Sequence, residues 1–425
     1  MAGHEPRLLI YSQDGLGLGH LRRTTLLATE LLRELPGASA LTVSDSPLGQ
    51  FFSTMPGHDY LKLPSIRKAG PGDWQAVSLS SSFGDVLEMR RQLIVSAVTS
   101  FDPDVVLVDH MPHGAMGELV PALQMLRNRP VRTVLGLRDI LDAPDVVRSR
   151  WAVEGAYAAV EDYYDEVLVY GSQDVLDVSR EYCWPEEAAR RLHYCGYVCA
   201  PATNQGTRGL RSRYLRRGER EKLVLVMAGG GADAYPVFSA LLDAAPEVHA
   251  ATSTTMLMVT GPFLPAAQQR ELARRARGLP VNLLRTVTDS TAYMLAADLV
   301  VAMAGYNTTA EVLSTGTPAL LVPRAGPSAE QRTRARLFAE RGWVRSVDPH
   351  QLGPDVVAEA VVNALAAQQP SEPVSGPDLG GRQAAAARLL GTLRGDAHAN
   401  GSALPHPRAI GASDDSTDRL LGVDA

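Results

Sequence analysis

The chain has 425 residues, 45% hydrophobic, 21% charged and 6% aromatic, with a formal net charge of −6. That length is too great for one ordinary core and fits two domains of about 150–200 residues each. The acidic balance excludes a general polyanion binder, so no nucleic-acid partner is expected. No run approaches the ~18 apolar residues of a membrane span.

The amino terminus, MAGHEPRLLIYSQDG, passes from a short polar lead straight into a brief apolar run. It lacks the long apolar core of a signal peptide. Cys183, Cys195 and Cys199 form no CxxC pair and leave an odd thiol. Together these features predict a cytoplasmic protein in a reducing compartment.

LLIYSQ (8–13) reads as a buried strand, followed by a glycine-rich turn and a helix over 20–35. ALTVSD, YLKLP, VVLVD (105–109), RTVLGLRD (132–139) and EVLVYG (166–171) read as further strands, with apolar-periodic helices over 84–100 and 145–163. Strand–helix alternation of this kind implies a parallel sheet covered on both faces. Residues 199–221 are polar and glycine-bearing and read as a linker, with their arginines facing solvent. Alternation restarts at KLVLVMAGGG (222–231), with a helix over 234–245. It continues through TMLMVTGP (255–262), VNLLR (281–285), LVVAM (299–303) and ALLVP (319–323). An Ala-rich helix around 380–394 precedes a tail with the composition of disorder. The expected organisation is an α/β protein of two Rossmann-like doubly wound domains, 1–198 and 222–395, joined by the linker and followed by a tail over 396–425. Its ligand cleft would face the carboxyl ends of both sheets.

The segment 281–343 carries the most information. A strand ends at Ala304–Gly305 and a helix opens directly after it. A helix opening presents unpaired N–H groups and a positive dipole end, which can hold a diphosphate without a metal. Gly305 permits close approach and Thr308 adds a hydroxyl. Glu311, one turn in, is placed to accept hydrogen bonds from both hydroxyls of a ribose. Gly229, Gly230 and Gly231 follow the first strand of this half, and Gly261 ends its second.

In the first half, SQDGLGLGHLRR (12–23) delivers Gly15, Gly17 and Gly19 to a turn, and His20 then opens a helix. The dipole there favours the neutral imidazole, which suits a general base. Arg22 and Arg23 read mainly as a solvated helix face, with contact to a phosphate or an anionic acceptor as the alternative. Asp109, His110 and His113 follow a strand and so reach the same rim; Asp109 could orient His20 or act as the base itself. Two histidines three apart lack a third ligand with motif spacing, so no metal is expected. Arg138–Asp139 is a further rim pair, read as a structural ion pair or a contact to acceptor or phosphate. Asp102–Pro103–Asp104 lies at the wrong end of its strand for the cleft and reads as a turn. The loop also permits a dinucleotide-binding reading, with Asp45 as the ribose acid.

With these residues in place, segment 281–343 resembles the nucleotide-binding half of GT-B glycosyltransferases, most nearly the lipid-linked N-acetylglucosaminyl transferases of family 28. Asp289, Ala297–Asp298, Gly305, Thr308, Glu311, Gly316, Pro318 and Pro323 fall in that pattern's register. The resemblance implies the GT-B fold and donor contacts from the Gly229–Gly231 loop, Gly261, Ala304 and Gly305. It also puts Thr288 at the base, and Glu330–Gln331 at the donor sugar, with Glu330 standing where that family has a glutamine. Across the cleft it implies acceptor or phosphate contacts from Gly17, Gly19, Arg22, His110 and Arg138. The implied reaction is inverting transfer from a UDP- or GDP-linked sugar, with no cofactor or metal, His20 or Asp109 serving as base. Partners would be the nucleotide sugar and an acceptor; the resemblance leaves open peripheral membrane contact and a monomer or homodimer. A sugar-nucleotide hydrolase or 2-epimerase of the same fold is the near alternative, the first loop resembling Gly-x-Gly-His hydrolases. A dinucleotide-dependent oxidoreductase and a non-catalytic nucleotide binder are the distant ones.

Overall fold

Runs of Val, Leu and Ile bounded by Gly, Pro and Asp form the strands of the computed structural model. It describes residues 5–13, 19–47, 55–68, 74–202, 207–215, 221–367 and 376–394. The first sheet contains β1 (Arg7–Ser12), β2 (Ser39–Ser44), β3 (His58–Lys62), β6 (Val105–Asp109), β7 (Arg132–Arg138), β8 (Glu166–Tyr170) and β9 (Leu192–Tyr194). They are ordered β3-β2-β1-β6-β7-β8-β9. A small antiparallel pair, β4 (Ile66–Lys68) and β5 (Trp74–Ala76), stands apart. The second sheet contains β10 (Lys222–Met227), β11 (Thr254–Val259), β12 (Val281–Leu284), β13 (Leu299–Ala302), β14 (Ala319–Leu321) and β15 (Arg345–Ser346). Its order is β12-β11-β10-β13-β14-β15.

Every pairing in the two large sheets is parallel. Parallel strands are covered on both faces, which is why β6 and β11 are buried along their whole length. Strand order reverses between β1 and β6 in the first sheet and between β10 and β13 in the second. Such switch points open crevices at the carboxyl ends of the strands. The register sets Ser12 opposite Asp109 at one of them and Met227 opposite Ala302 at the other.

Several elements depart from the sequence reading. The helix expected over 145–163 is two helices, Pro144–Glu154 and Ala156–Tyr163, separated by Gly155 at φ 66°. The expected linker contains a helix, Thr207–Tyr214, packed on the helix Ser290–Ala296. Arg211 there is not simply solvated, since its guanidinium pairs with Asp298 at 2.9 Å. The final helix, Gly381–Arg394, expected with the second domain, returns to pack against the first helix, Gly19–Glu34. Ala385, Ala386 and Leu389 bury themselves there, and ion pairs Arg382–Glu30 and Arg388–Glu166 flank them. One apolar cluster therefore runs from Leu8, Ile10 and Leu27 through Tyr197 and Leu389 into Leu225 and Val300 of the second sheet. Among the described residues, no helix is long and apolar enough to cross a membrane.

Asp102–Pro103–Asp104 is structural: Asp102 caps the helix Phe83–Phe101, and Asp104 accepts a hydrogen bond from the Arg7 backbone N–H at 2.8 Å. Asp45 is also structural. Its carboxylate is fully buried and lies 3.3 Å from Arg90, which leaves it closed to a ribose. Arg90 is itself fully buried and forks onto Glu118 through Nε and Nη2, each at 2.5 Å; the Tyr11 hydroxyl donates to Glu118 at 2.6 Å. Removing one member of a buried ion pair strands the other in a medium that solvates it poorly. Arg90→Met should lower stability by about 3–5 kcal/mol, read as a reduced urea midpoint with an unchanged slope.

Candidate active site

The loop after β1 and the end of β6 meet at the first switch point. His20, the second residue of its helix, places Nδ1 2.6 Å from Asp109 Oδ2. Asp109 is 1% exposed. Burial alone would push its carboxyl pKa up. Arg23 and then His20 outweigh that effect and hold it well below the usual carboxylate range. An ionised Asp109 favours the tautomer with the proton on His20 Nδ1, which leaves Nε2 unprotonated.

Arg23 does not lie on a solvated face as its sequence context suggests. It is 1% exposed, and its Nη2 lies 2.6 and 2.9 Å from the two Asp109 oxygens. The guanidinium carbon sits 5.2 Å from the ring centres of both Tyr170 and Tyr306. His110, held at φ 81°, tilts its ring against His20 with centroids 5.1 Å apart. Burial, followed by the charge of Arg138, pushes the His110 pKa well below the usual imidazole range. His113 instead lies near Gly155. Among the described residues, no three His, Cys, Asp or Glu side chains converge as metal ligands. Gly17 lies outside the described residues.

At the second switch point, the loop after β10 carries Gly229 at φ 58° and Gly231 at φ 84°, and Gly261 follows β11 at φ 87°. A Cβ on Gly231 would stand 2.0 Å from the Thr260 carbonyl oxygen, and one on Gly261 would stand 2.4 Å from that of Gly230. Only glycine allows these two loops to touch. Thr308 brings its hydroxyl within 3.8 Å of a Cβ built on Gly229, so the loop borders the opening of the helix Tyr306–Thr315. Gly305 caps that helix in extended conformation with no side-chain partner. Ala304 is buried, and its carbonyl accepts from Arg334 at 2.9 Å.

Glu311 is 2% exposed, accepts from the Ser290 hydroxyl at 3.0 Å and pairs with Arg22 at 2.7 Å. Burial raises its pKa, only partly opposed by Arg22 and Ser290. Thr288 is exposed, two residues before Ser290. Glu330 is buried between Arg138 at 2.5 Å and Arg334 at 3.0 Å. Burial would raise its pKa, but those two cations reverse the effect and bring it below the usual range. Gln331 is turned back onto its own lobe, its side-chain oxygen accepting from the Arg324 N–H at 3.1 Å. Arg138 and Asp139 do not form the expected pair: Asp139 accepts from the Tyr197 hydroxyl at 2.5 Å and the Ile140 N–H at 2.8 Å.

The two groups face each other directly. Asn307 Nδ2, at the opening of the second-lobe helix, donates to the Gly19 carbonyl at 2.9 Å. Arg22–Glu311, Arg22–Ser290, Arg138–Glu330, Arg23–Tyr306 and the Ala329 N–H to Asp142 also cross between the lobes. Sequence reasoning missed Ser290, Tyr306, Asn307 and Arg334. Two had a usable signal: Tyr306 directly follows the glycine that opens the helix, and Arg334 is one helical turn beyond Glu330.

Two Rossmann-like lobes with their switch points facing across one cleft define the GT-B fold. Residues 223–379 match the glycosyltransferase family 28 C-terminal domain, so that part of the chain is family 28-like, and the chain is a glycosyltransferase. It is 25% identical over 369 residues to an uncharacterized glycosyltransferase of Methanosarcina mazei, covering 83% of this chain and 88% of that one. Another relative is the UDP-N-acetylglucosamine--N-acetylmuramyl-(pentapeptide) pyrophosphoryl-undecaprenol N-acetylglucosamine transferase of Mycobacterium bovis. It is 35% identical over 144 residues, which is 33% of this chain and only 34% of that protein. The crystal structure of the glycotransferase of kitacinnamycin shares the fold, with a TM-score of 0.57 and 19% identity over 92% of this chain and 98% of that one. So does the UDP-GlcNAc 2-epimerase of Methanocaldococcus jannaschii, with a TM-score of 0.57 and 11% identity over 90% of this chain and 99% of that one.

A carboxyl pKa depressed by folding stabilises the folded state above the unfolded value, and that contribution fades as acid titrates the folded group. Asp109→Asn should therefore lower stability at pH 7. The gap to the wild type should narrow as pH falls below about 4, measured by urea unfolding across pH.

Proposed function

We propose that the sugar donor is a nucleoside diphosphate sugar, UDP- or GDP-linked, held at the second switch point, and that transfer inverts the anomeric carbon in a single displacement. The observation that carries this reading is the 2.9 Å contact of Asn307 with Gly19, which sets the opening of the Tyr306 helix against the turn bearing His20. Backbone N–H groups of that helix and the Gly229–Gly231 loop would receive the diphosphate.

Glu311 would accept from the ribose hydroxyls, exchanging Arg22 for them as the donor arrives and freeing that guanidinium beside the diphosphate. Glu330, fixed by Arg138 and Arg334, would face the donor sugar. Ser290 joins this set through its bond to Glu311.

In the reaction, the acceptor hydroxyl gives its proton to His20 Nε2 while its oxygen bonds to the anomeric carbon. The bond from that carbon to the diphosphate oxygen breaks, and the electron pair leaves with the diphosphate. Asp109 stabilises the imidazolium through Nδ1, without taking the proton. Closure of the lobes would exclude water, which separates transfer from hydrolysis.

Glu311→Ala should weaken nucleoside diphosphate binding by about 1–3 kcal/mol in calorimetry with UDP and GDP. His20→Ala should cut nucleotide release in the presence of acceptor by roughly 10²–10⁴-fold, with nucleotide affinity little changed. Full turnover in His20→Ala would remove the base assignment. Rapid release of free sugar without any acceptor would replace transfer with hydrolysis.

A further inference from the structure

We infer that Tyr306 is a positioning residue for the base: its ring, supplied by the second lobe, completes the pocket that holds Arg23 on Asp109 and so fixes the His20 imidazole. This rests on the reading of His20 as the base.

Arg23 is a fully buried cation whose one carboxylate partner in the site is Asp109, reached through Nη2 at 2.6 and 2.9 Å and Nε at 3.3 Å. At 1% exposed it is shielded from bulk solvent. Tyr170, at the end of β8, covers it from the first lobe, and Tyr306 covers it from the second, each 5.2 Å from the guanidinium carbon. Aromatic faces attract a desolvated guanidinium strongly. Arg23 also lies 3.1 Å from His20 Nδ1. A guanidinium that left its place would release the Asp109 carboxylate, free one side of the imidazole, and blur the choice of which ring nitrogen carries the proton.

Tyr306 is itself fixed by more than this contact. Its hydroxyl accepts from the Val198 N–H at 2.9 Å, and its ring lies 5.6 Å from the Arg334 guanidinium carbon and 5.9 Å from the Tyr197 ring. It is also the first residue of the helix proposed to receive the diphosphate. The base is therefore set by a side chain that belongs to the donor's lobe.

The test uses the full chain and nitrogen NMR of labelled histidine, which distinguishes the two imidazole tautomers and needs no acceptor. In the wild type His20 should show one tautomer, with a low-field Nδ1 proton. Tyr306→Phe keeps the ring and should preserve that signal. Tyr306→Leu should broaden it or split it between tautomers, slow nucleotide release by roughly 5–30-fold, and leave affinity for UDP (or GDP where UDP does not bind) within about twofold. Arg23→Lys keeps the charge but loses the fork and the flat faces. It should act in the same direction, and it supplies the test if Tyr306→Leu does not fold. An unchanged His20 signal in both Tyr306→Leu and Arg23→Lys overturns the proposal. So does a loss of UDP affinity in Tyr306→Leu that accounts for the whole loss of turnover. These outcomes are separate from the base assignment, which fails only if His20→Ala keeps its turnover.

Discussion

Asp109 has almost no access to water, and the first lobe is organised around keeping it ionised. A carboxylate in that position would take up a proton unless cations and donors offset its desolvation. Arg23 supplies the charge, His20 supplies a second donor, and two tyrosines enclose the cation that does most of the work. The consequence runs outward: Asp109 holds Nδ1 of His20, and an ionised Asp109 favours the proton there and leaves Nε2 free to accept one. The second lobe handles charge differently. Glu311 and Glu330 are buried there too, but their strongest contacts from outside their own lobe are Arg22 and Arg138. Each side of the cleft thus satisfies part of the other's charge.

Both sheets solve the placement problem in the same way. A strand on each side of a reversal in strand order leaves the sheet in the same direction, so the loops that follow are neighbours although distant in sequence. β1 and β6 bring His20 to Asp109, and β10 and β13 bring Gly229–Gly231 to Gly305. Gly231 and Gly261 show how tight this placement is, because their backbones touch at distances no side chain permits.

Much of this was legible in the sequence because it depends on local order. Apolar runs marked the strands, and polar or glycine residues at their carboxyl ends marked the rim, which brought His20, Asp109, Gly305 and Glu311 to notice. Features that depend on a distant partner were not legible. Arg23 beside Arg22 reads as a solvated pair; only the carboxylate 86 residues away shows that one of them turns inward. Arg138 next to Asp139 reads as a pair, yet its partner is Glu330, 192 residues on. The helix Thr207–Tyr214 is too polar to be recognised without the helix it lies on. An Ala-rich closing helix carries no mark of which lobe it will cover.

That closing helix has a mechanical consequence. The chain passes between the lobes once after Tyr197 and again before Gly381. The two passages are stitched together, the Tyr197 N–H donating to the Asp378 carbonyl at 2.7 Å and the Gly381 N–H to the Tyr197 carbonyl at 3.2 Å. Two bodies joined by adjacent, bonded strands of chain cannot slide or pull apart without breaking those bonds, whereas they can swing about them. The molecule has the mechanics of a door hung on one edge, and Tyr306, bonded through its hydroxyl to the Val198 N–H, stands beside that hinge.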